Sequence, residues 1–297
     1  VTPVRLIACD LDGTIVSHGT HAVSPRSVAA FGAARAAGYE VVFVTGRPPW
    51  YLAPLTESMG AAGHRIGRII CSNGAAVYDL ESEEILATEP LPTHHAIETI
   101  EAVRALAPGV AFAAEALTGP VIEQPFLPAG FEAGLVVEDL AEALREDGSV
   151  FEGGVLKLHV FDPSGPDPDE FLARAAAGVS PDAYATRSVA GMAVFEVGRA
   201  DVTKARTLGE YAHALGVGPE EIVAFGDMPN DLEMLRWVGT GFAMASGHPD
   251  VVAAADRTAP PIQEDGVAQV LEHLVATGEL PAGLDRSGGD LGAGSHG

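Results

Sequence analysis

The strongest constraint on this chain is a recurring unit in which a short apolar run stops at a polar or glycine-bearing turn and a helical pattern follows. Arg5-Leu6-Ile7-Ala8-Cys9 runs into Asp10, Val41-Val42-Phe43-Val44 into Thr45-Gly46, and Arg68-Ile69-Ile70-Cys71 into Ser72-Asn73-Gly74. Ile222-Val223-Ala224-Phe225 then runs into Gly226-Asp227, and Gly241-Phe242-Ala243-Met244 follows one helix later. Strands covered on both faces lose the alternation of half-exposed strands and become continuous apolar runs, with helices as their crossovers. The first helix is predicted to open at Ser24 as N-cap, with Pro25 in its first turn, and to stop at Gly38. The pattern predicts an α/β fold with a parallel-sheet core.

The middle of the chain, about 86–191, reads differently. A helical stretch at 93–107 precedes strand-like runs at 110–115, 121–124, 155–161, 183–189 and 192–197, with helical patterns near 139–145 and 168–177. Strands without obligatory crossovers suggest an α+β unit with an open antiparallel sheet. The predicted organisation is a discontinuous core at 1–85 and 192–281, an inserted domain at 86–191, and a glycine-rich mobile tail at 282–297. No repeat of solenoid type interrupts this organisation.

Charge narrows the partners. A formal net charge of −24 sets up a field that repels nucleic acid and anionic membrane surfaces, so neither is expected as a partner. The same field opposes any phosphorylated ligand, which therefore requires a metal ion and local cations to reverse the sign inside its site. The apolar runs are too short to span a bilayer and no leader-like pattern opens the chain, so a cytoplasmic protein is expected. Cys9 and Cys71 both end buried-strand patterns and read as small hydrophobes, not as a disulfide framework.

Each core strand delivers its polar residues at its C-terminal end, the edge where open α/β sheets bind ligands. After the first come Asp10 and Asp12, two apart and so able to address one site from an extended segment. Paired carboxylates repel, and the pair becomes tolerable when a cation neutralises one and a proton sits on the other. That division suits Asp10 to nucleophilic attack and Asp12 to general acid/base work. After the second strand, Thr45 and Gly46 offer a hydroxyl and open backbone N–H groups to an anion, and Arg47 can pair with substrate or with an acidic neighbour. Lys204, leading the helix predicted at 203–215, is a compact cation able to neutralise both Asp10 and a phosphoryl group. Asp227 ends a buried strand, where an unpaired carboxylate is costly and a cationic partner is implied; Asn230 and Asp231 begin the next helix, where capping alone accounts for them equally well. Taken singly, D-x-D-G is also an ordinary acidic turn, T-G-R a turn with a solvated arginine, and a lone lysine a surface charge.

Together, these motifs resemble the haloacid dehalogenase-like superfamily, and more narrowly its Cof-type sugar-phosphatase-like branch. The family's D-x-D-G-T stands at Asp10–Thr14, T-G-R at Thr45–Arg47, N-G-A at Asn73–Ala75, the helix-leading lysine at Lys204, and G-D-x-x-N-D at Gly226–Asp231, with Met234-Leu235 and Glu264–Ala268 as further matches. One departure is Ala245-Ser246-Gly247 after Ala243-Met244, where the family usually reads G-N-A, so the loop there is expected to differ in shape or polarity. The resemblance implies a Rossmann-like core with helices on both faces, an α/β cap inserted after the N-G-A strand, and Mg²⁺-dependent hydrolysis of a small phosphorylated metabolite such as a sugar phosphate. It implies that Asp10 forms an aspartyl-phosphate, that Asp12 serves as acid and base, and that Thr45, Gly46, Lys204 and Asn230 hold the phosphoryl group. Mg²⁺ is implied on the Asp10 carboxylate, the Asp12 backbone carbonyl and the Asp227 carboxylate, with Asp231 close behind or reached through water.

Alternatives on the same residues are a phosphomutase or phosphotransferase, a non-catalytic Asp–Mg²⁺ phospho-accepting module, and a relative without activity. Retained Asp12 argues against dehalogenation, and Lys204, Asn230 and the large insertion are superfluous in a simple receiver. Substrate identity stays open, and so does assembly as a monomer or small homo-oligomer. His94-His95 are adjacent on a helix and cannot readily share an ion. Trp50 and Tyr51 are expected to pack against the insertion, whose Lys157, His159 and Arg187 are candidate leaving-group contacts without a firm assignment.

Overall fold

The computed structural model describes residues 2–17, 22–59, 67–126, 134–146, 151, 153–189 and 191–283. In chain order, β1 (Leu6–Cys9) leads to α1 (Pro25–Ala36), β2 (Glu40–Val44), α2 (Ala53–Met59), β3 (Arg68–Cys71), β4 (Ala76–Asp79) and β5 (Glu84–Thr88). Next come α3 (Thr93–Leu106), β6 (Ala111–Ala116), β7 (Gly119–Glu123), β8 (Leu135–Val137), α4 (Leu140–Glu146), β9 (Val155–Phe161), α5 (Pro168–Ala175), β10 (Ala183–Thr186) and β11 (Val194–Arg199). The chain closes through α6 (Lys204–Ala214), β12 (Ile222–Gly226), α7 (Leu232–Trp237), β13 (Thr240–Met244), α8 (Pro249–Ala254), β14 (Arg257–Ala259) and α9 (Gly266–Thr277). Among the described residues no helix is long and apolar enough to cross a membrane.

The first sheet has the order β14-β13-β12-β1-β2-β3-β4-β5. It is parallel from β14 to β3, and β4 and β5 extend it antiparallel. Side chains alternate across it. Ile7, Cys9, Val41, Phe43, Val223 and Phe225 join α1 and α9 on one face, while Leu6, Ala8, Val42, Val44, Ile222 and Ala224 join α6 and α7 on the other. This double cover is what the continuous apolar runs foretold, and the α/β, Rossmann-like fold class stands. Helix α1 starts as read: Ser24 accepts the Ser27 N–H through its side chain, and Pro25 opens the helix. Gly38, with φ +95°, takes the left-handed conformation that lets the chain leave it.

The second sheet has the order β10-β11-β9-β6-β7-β8 and is antiparallel except for the β7–β8 pair. Phe112, Leu158, Val160, Phe195 and Val197 pack under α3, α4 and α5. Pleating turns the intervening residues, Glu115, Lys157, His159 and Glu196, to the opposite face. Two expected boundaries move. Strand β5 reaches Thr88 in the first sheet, and β11 pairs with β9 and β10 in the second, so the inserted unit runs to Arg199 and not to residue 191. Of the glycine-rich stretch at 282–297, residues 284–297 lie outside the described residues.

Candidate active site

Asp10 follows β1, and its backbone N–H donates to the Phe225 carbonyl at 3.0 Å, tying it to the end of β12. The next strand end carries Asp227. Between them Gly13 turns with φ +82°, and a Cβ built there meets Asp227 Oδ2 at 2.1 Å, so only glycine fits. The Thr14 hydroxyl lies 3.2 Å from both Asp10 Oδ2 and Asp227 Oδ1 and bridges the two strand ends. Asp231 accepts the backbone N–H groups of Asp227 and Met228 with one oxygen, each at 3.0 Å. Its other oxygen accepts from Lys204 Nζ at 2.7 Å, and the same ammonium donates to Asp10 Oδ1 at 2.6 Å. Lys204 is placed by the N-terminus of α6, which Thr203 caps by accepting the Arg206 N–H.

Asp10, Asp227 and Asp231 are all buried, and one oxygen from each lies within 4.8 Å of the others. Burial, then Asp231, push the Asp10 carboxyl up to about 7 against the pull of Lys204. Burial and the neighbouring Asp10 and Asp231 hold Asp227 well above the ordinary carboxylate range. One ammonium therefore does not neutralise three carboxylates. The donors are all hard oxygens, and this set fits Mg²⁺, which prefers a few carboxylates and keeps its remaining waters.

The Asp12 carboxylate is not in that cluster. Arg47 grips it with two parallel bonds, Nε to Oδ2 at 2.6 Å and Nη2 to Oδ1 at 2.5 Å, and Asp12 is thus an acidic neighbour of the kind expected for Arg47. The Arg47 guanidinium also lies 5.1 Å over the Tyr51 ring. Thr45 is fully buried, its hydroxyl accepting the Arg47 N–H at 3.0 Å. Gly46 lines the cavity beside Asp10, and its carbonyl accepts from Lys157 Nζ at 2.8 Å. Asn230 donates through Nδ2 to Asn73 Oδ1 at 3.0 Å, which leaves its buried Oδ1 without a partner.

The inserted unit meets this edge through the polar face of its sheet. Ser72 and Asn73 sit in left-handed conformations, φ 48° and 57°, and donate to Glu115 Oε2 at 2.8 Å and Glu196 Oε2 at 2.7 Å. Lys157 Nζ donates to Glu196 at 2.8 Å and lies 3.3 Å from Glu115, whose Oε1 is also 2.7 Å from His159 Nε2. Lys157 and His159, acting against burial, hold the Glu196 carboxyl below its ordinary range. The Trp50 indole donates to the Ala116 carbonyl at 3.0 Å, the packing on the insertion expected of it. A cavity of about 200 Å³ is left between the carboxylate cluster and this face.

The family of haloacid dehalogenase-like hydrolases matches residues 7–271. The chain belongs to that family. It is 28% identical over 283 residues to pyridoxal phosphate phosphatase YbhA of Escherichia coli, covering 91% of this chain and 99% of that one. It is 27% identical over 270 residues to a phosphoglycolate phosphatase of Natronomonas pharaonis, covering 91% and 97%. Among solved structures, a subclass IIB sugar phosphatase of the family superposes with a TM-score of 0.74 at 25% identity, over 91% of this chain and 99% of that one. This haloacid dehalogenase-like hydrolase is a phosphatase.

In the hydrolase, Asp10, Lys204, Asp227 and Asp231 converge, while Asp12 and Arg47 form a pair at the cavity wall. Arg187 does not reach the cavity; it pairs with Asp169. His95 is occupied by Glu98 and Ser180. Ser246 and Gly247, where the sequence departs from the family pattern, lie against Asp227, for a Cβ on Gly247 would meet its carbonyl oxygen at 2.7 Å. Sequence reading missed Thr14 as a bridge, and Glu115 and Glu196 altogether. Thr14 stood inside a named motif. A lone glutamate in an alternating strand is the same signal whether its face meets water or another domain.

Proposed function

We propose that this phosphatase hydrolyses a small phosphorylated metabolite, with Mg²⁺ as cofactor and Asp10 as nucleophile. The observation carrying the proposal is the convergence of Asp10, Asp227 and Asp231, from opposite ends of the sequence, into one buried, under-neutralised oxygen cluster beside Lys204. Mg²⁺ would be held by the Asp10 and Asp227 carboxylates and the Asp12 carbonyl, with Asp231 behind. Bound there, it supplies positive charge against the phosphoryl oxygens.

Asp10 attacks phosphorus and becomes an acyl phosphate as the P–O bond to the leaving group breaks. Asp12 gives a proton to the departing oxygen, and the fork of Arg47 stabilises the carboxylate that remains. The same carboxylate then takes a proton from the water that hydrolyses the acyl phosphate. Lys204 aligns Asp10, while Thr45, Gly46 and Asn230 cradle the phosphoryl group. Locally, the two charges of a bound Mg²⁺ together with Lys204 and Arg47 would offset the carboxylates of Asp10, Asp12, Asp227 and Asp231, within a chain whose net charge is −24. The relatives' substrates, pyridoxal phosphate, phosphoglycolate and sugar phosphates by name, have in common a phosphate monoester on a small alcohol.

The test is phosphate release from a panel of metabolite phosphates, with Mg²⁺ and with EDTA. Activity should require Mg²⁺, and Asp10→Asn should reduce it by several orders of magnitude, on the scale of losing a covalent nucleophile. Near-normal release from that variant would remove Asp10 from the mechanism.

A further inference from the structure

The cavity beside the carboxylate cluster has an uneven lining. Its polar groups from the inserted unit are engaged with one another or with the core: Glu115 with His159, Lys157 and the core's Ser72, and Glu196 with Lys157, Ser188 and the core's Asn73. What that unit otherwise presents is apolar, namely Val189, Met192 and Val194, and the core adds Pro48 and Tyr51. Val194 is anchored from behind by Phe126 and Phe161, and Val189 and Met192 pack on the same cluster, so this wall is built rather than incidental. The polar lining that remains, Asp12, Arg47 and Asn230 beside the carboxylate cluster, lies on the core side.

Resting on the phosphatase reading above, we infer that the leaving group is a flat aromatic or heteroaromatic ring, its polar atoms near the ester end and its far edge against Val189, Met192 and Val194. The space, about 200 Å³, lies below that of sites for drug-sized ligands and suits one ring with its phosphoryl group. A hexose or polyol would set several hydroxyls against Val189, Met192 and Val194, which offer them no hydrogen bond. Each hydroxyl buried without a bond costs about tenfold in affinity, whereas ring carbon against the apolar wall is favourable.

The experiment has two arms. In the first, Asp10→Asn, which removes the nucleophile, is titrated by calorimetry in Mg²⁺ with benzyl phosphate, pyridoxine 5′-phosphate, glucose 6-phosphate and mannitol 1-phosphate. The two ring esters should bind at least about tenfold tighter than the other two, the scale of one unpaired hydroxyl. In the second, kcat/KM of the unaltered protein is compared across the same esters, and Met192→Asn should shrink the ring preference at least about fivefold by wetting the wall. Hexose or polyol esters that match the ring esters in the first arm overturn the inference, as does a ring preference indifferent to Met192→Asn. Ring-selective binding with no phosphate release would instead remove the catalytic reading and leave the ring site standing.

Discussion

Gly13→Ala is a test of the metal site that replaces none of its ligands. Gly13 has φ +82°, a conformation that costs a residue with a side chain on the order of 1–2 kcal/mol. The larger effect is steric. The new methyl would stand 2.1 Å from Asp227 Oδ2, and contacts under 3.0 Å essentially never occur, so the carboxylate must retreat by about 1 Å and give up its 3.2 Å bond from Thr14. Mg²⁺ tolerates little departure from its short oxygen distances, and losing one well-placed ligand of this kind should raise the Mg²⁺ requirement at least about tenfold, or ~1.4 kcal/mol. Backbone strain alone predicts a fall in melting temperature of only a few degrees. The assay is phosphate release titrated with Mg²⁺, alongside thermal melts in EDTA. A variant that melts a few degrees lower yet keeps the original Mg²⁺ requirement would refute the placement of Asp227 at the metal.

Because burial and Asp231 hold Asp10 at about 7, Mg²⁺ must displace a proton below that pH, and its apparent affinity, read by calorimetry, should fall by up to about tenfold per pH unit from 7 downward. The same shift acts on stability. A carboxyl raised from 3.8 to about 7 contributes stability that is full below about pH 4 and lost as pH rises through 7, so melts in EDTA from pH 5 to 8 should show a decline that Asp10→Asn lacks. Lys204→Met leaves Asp10 and Asp231 buried without their cation and should destabilise the protein by about 3–5 kcal/mol in denaturant titrations, less at pH 5 than at pH 8, because Asp10, pushed still higher without Lys204, takes up its compensating proton more readily at the lower pH. Asp12→Asn should slow the first step on an alkyl phosphate far more than on an activated aryl phosphate, and equal slowing of both in rapid quench would argue against its acid role.

The core was legible in the sequence because strands covered on both faces are apolar throughout, and because such sheets place their chemistry at the strand ends. Asp10 and Asp227 could therefore be read as neighbours although nothing local joins them. The β4–β5 hairpin was not legible: β5 is mostly exposed, and no continuous apolar run announces it. The end of the insertion was misplaced for a related reason. Val194–Arg199 carries Glu196 and Gly198, and nothing in its composition says which sheet it joins. Glu115 and Glu196 were hidden by the same ambiguity, since a polar residue every second position predicts a face turned away from the helices and does not say what meets it. Lys157 and His159 were noticed but had no role until their carboxylate partners were placed.

The position of β1 also bears on how the molecule is made. Its edges are taken by β2, whose paired residues lie fewer than forty positions on, and by β12, whose first flanking contact, Arg5 with Glu221, spans 216 positions. At the ribosome's pace of about 5–20 residues per second, the nascent core waits on the order of ten seconds or more with one side of its central strand bare. The insertion has no such wait, since β6 and β7 form a hairpin across a short turn, α3 directly precedes β6, and α4 and α5 lie between its own strands. Residues 93–199 can therefore fold while the catalytic half is still open, and a ribosome stalled before Ile222 would display a finished insertion beside an unpaired strand edge, the feature that draws chaperones and aggregation. Asp10 thus gains its chemistry only once Asp227 and Asp231, more than two hundred positions later, have been made.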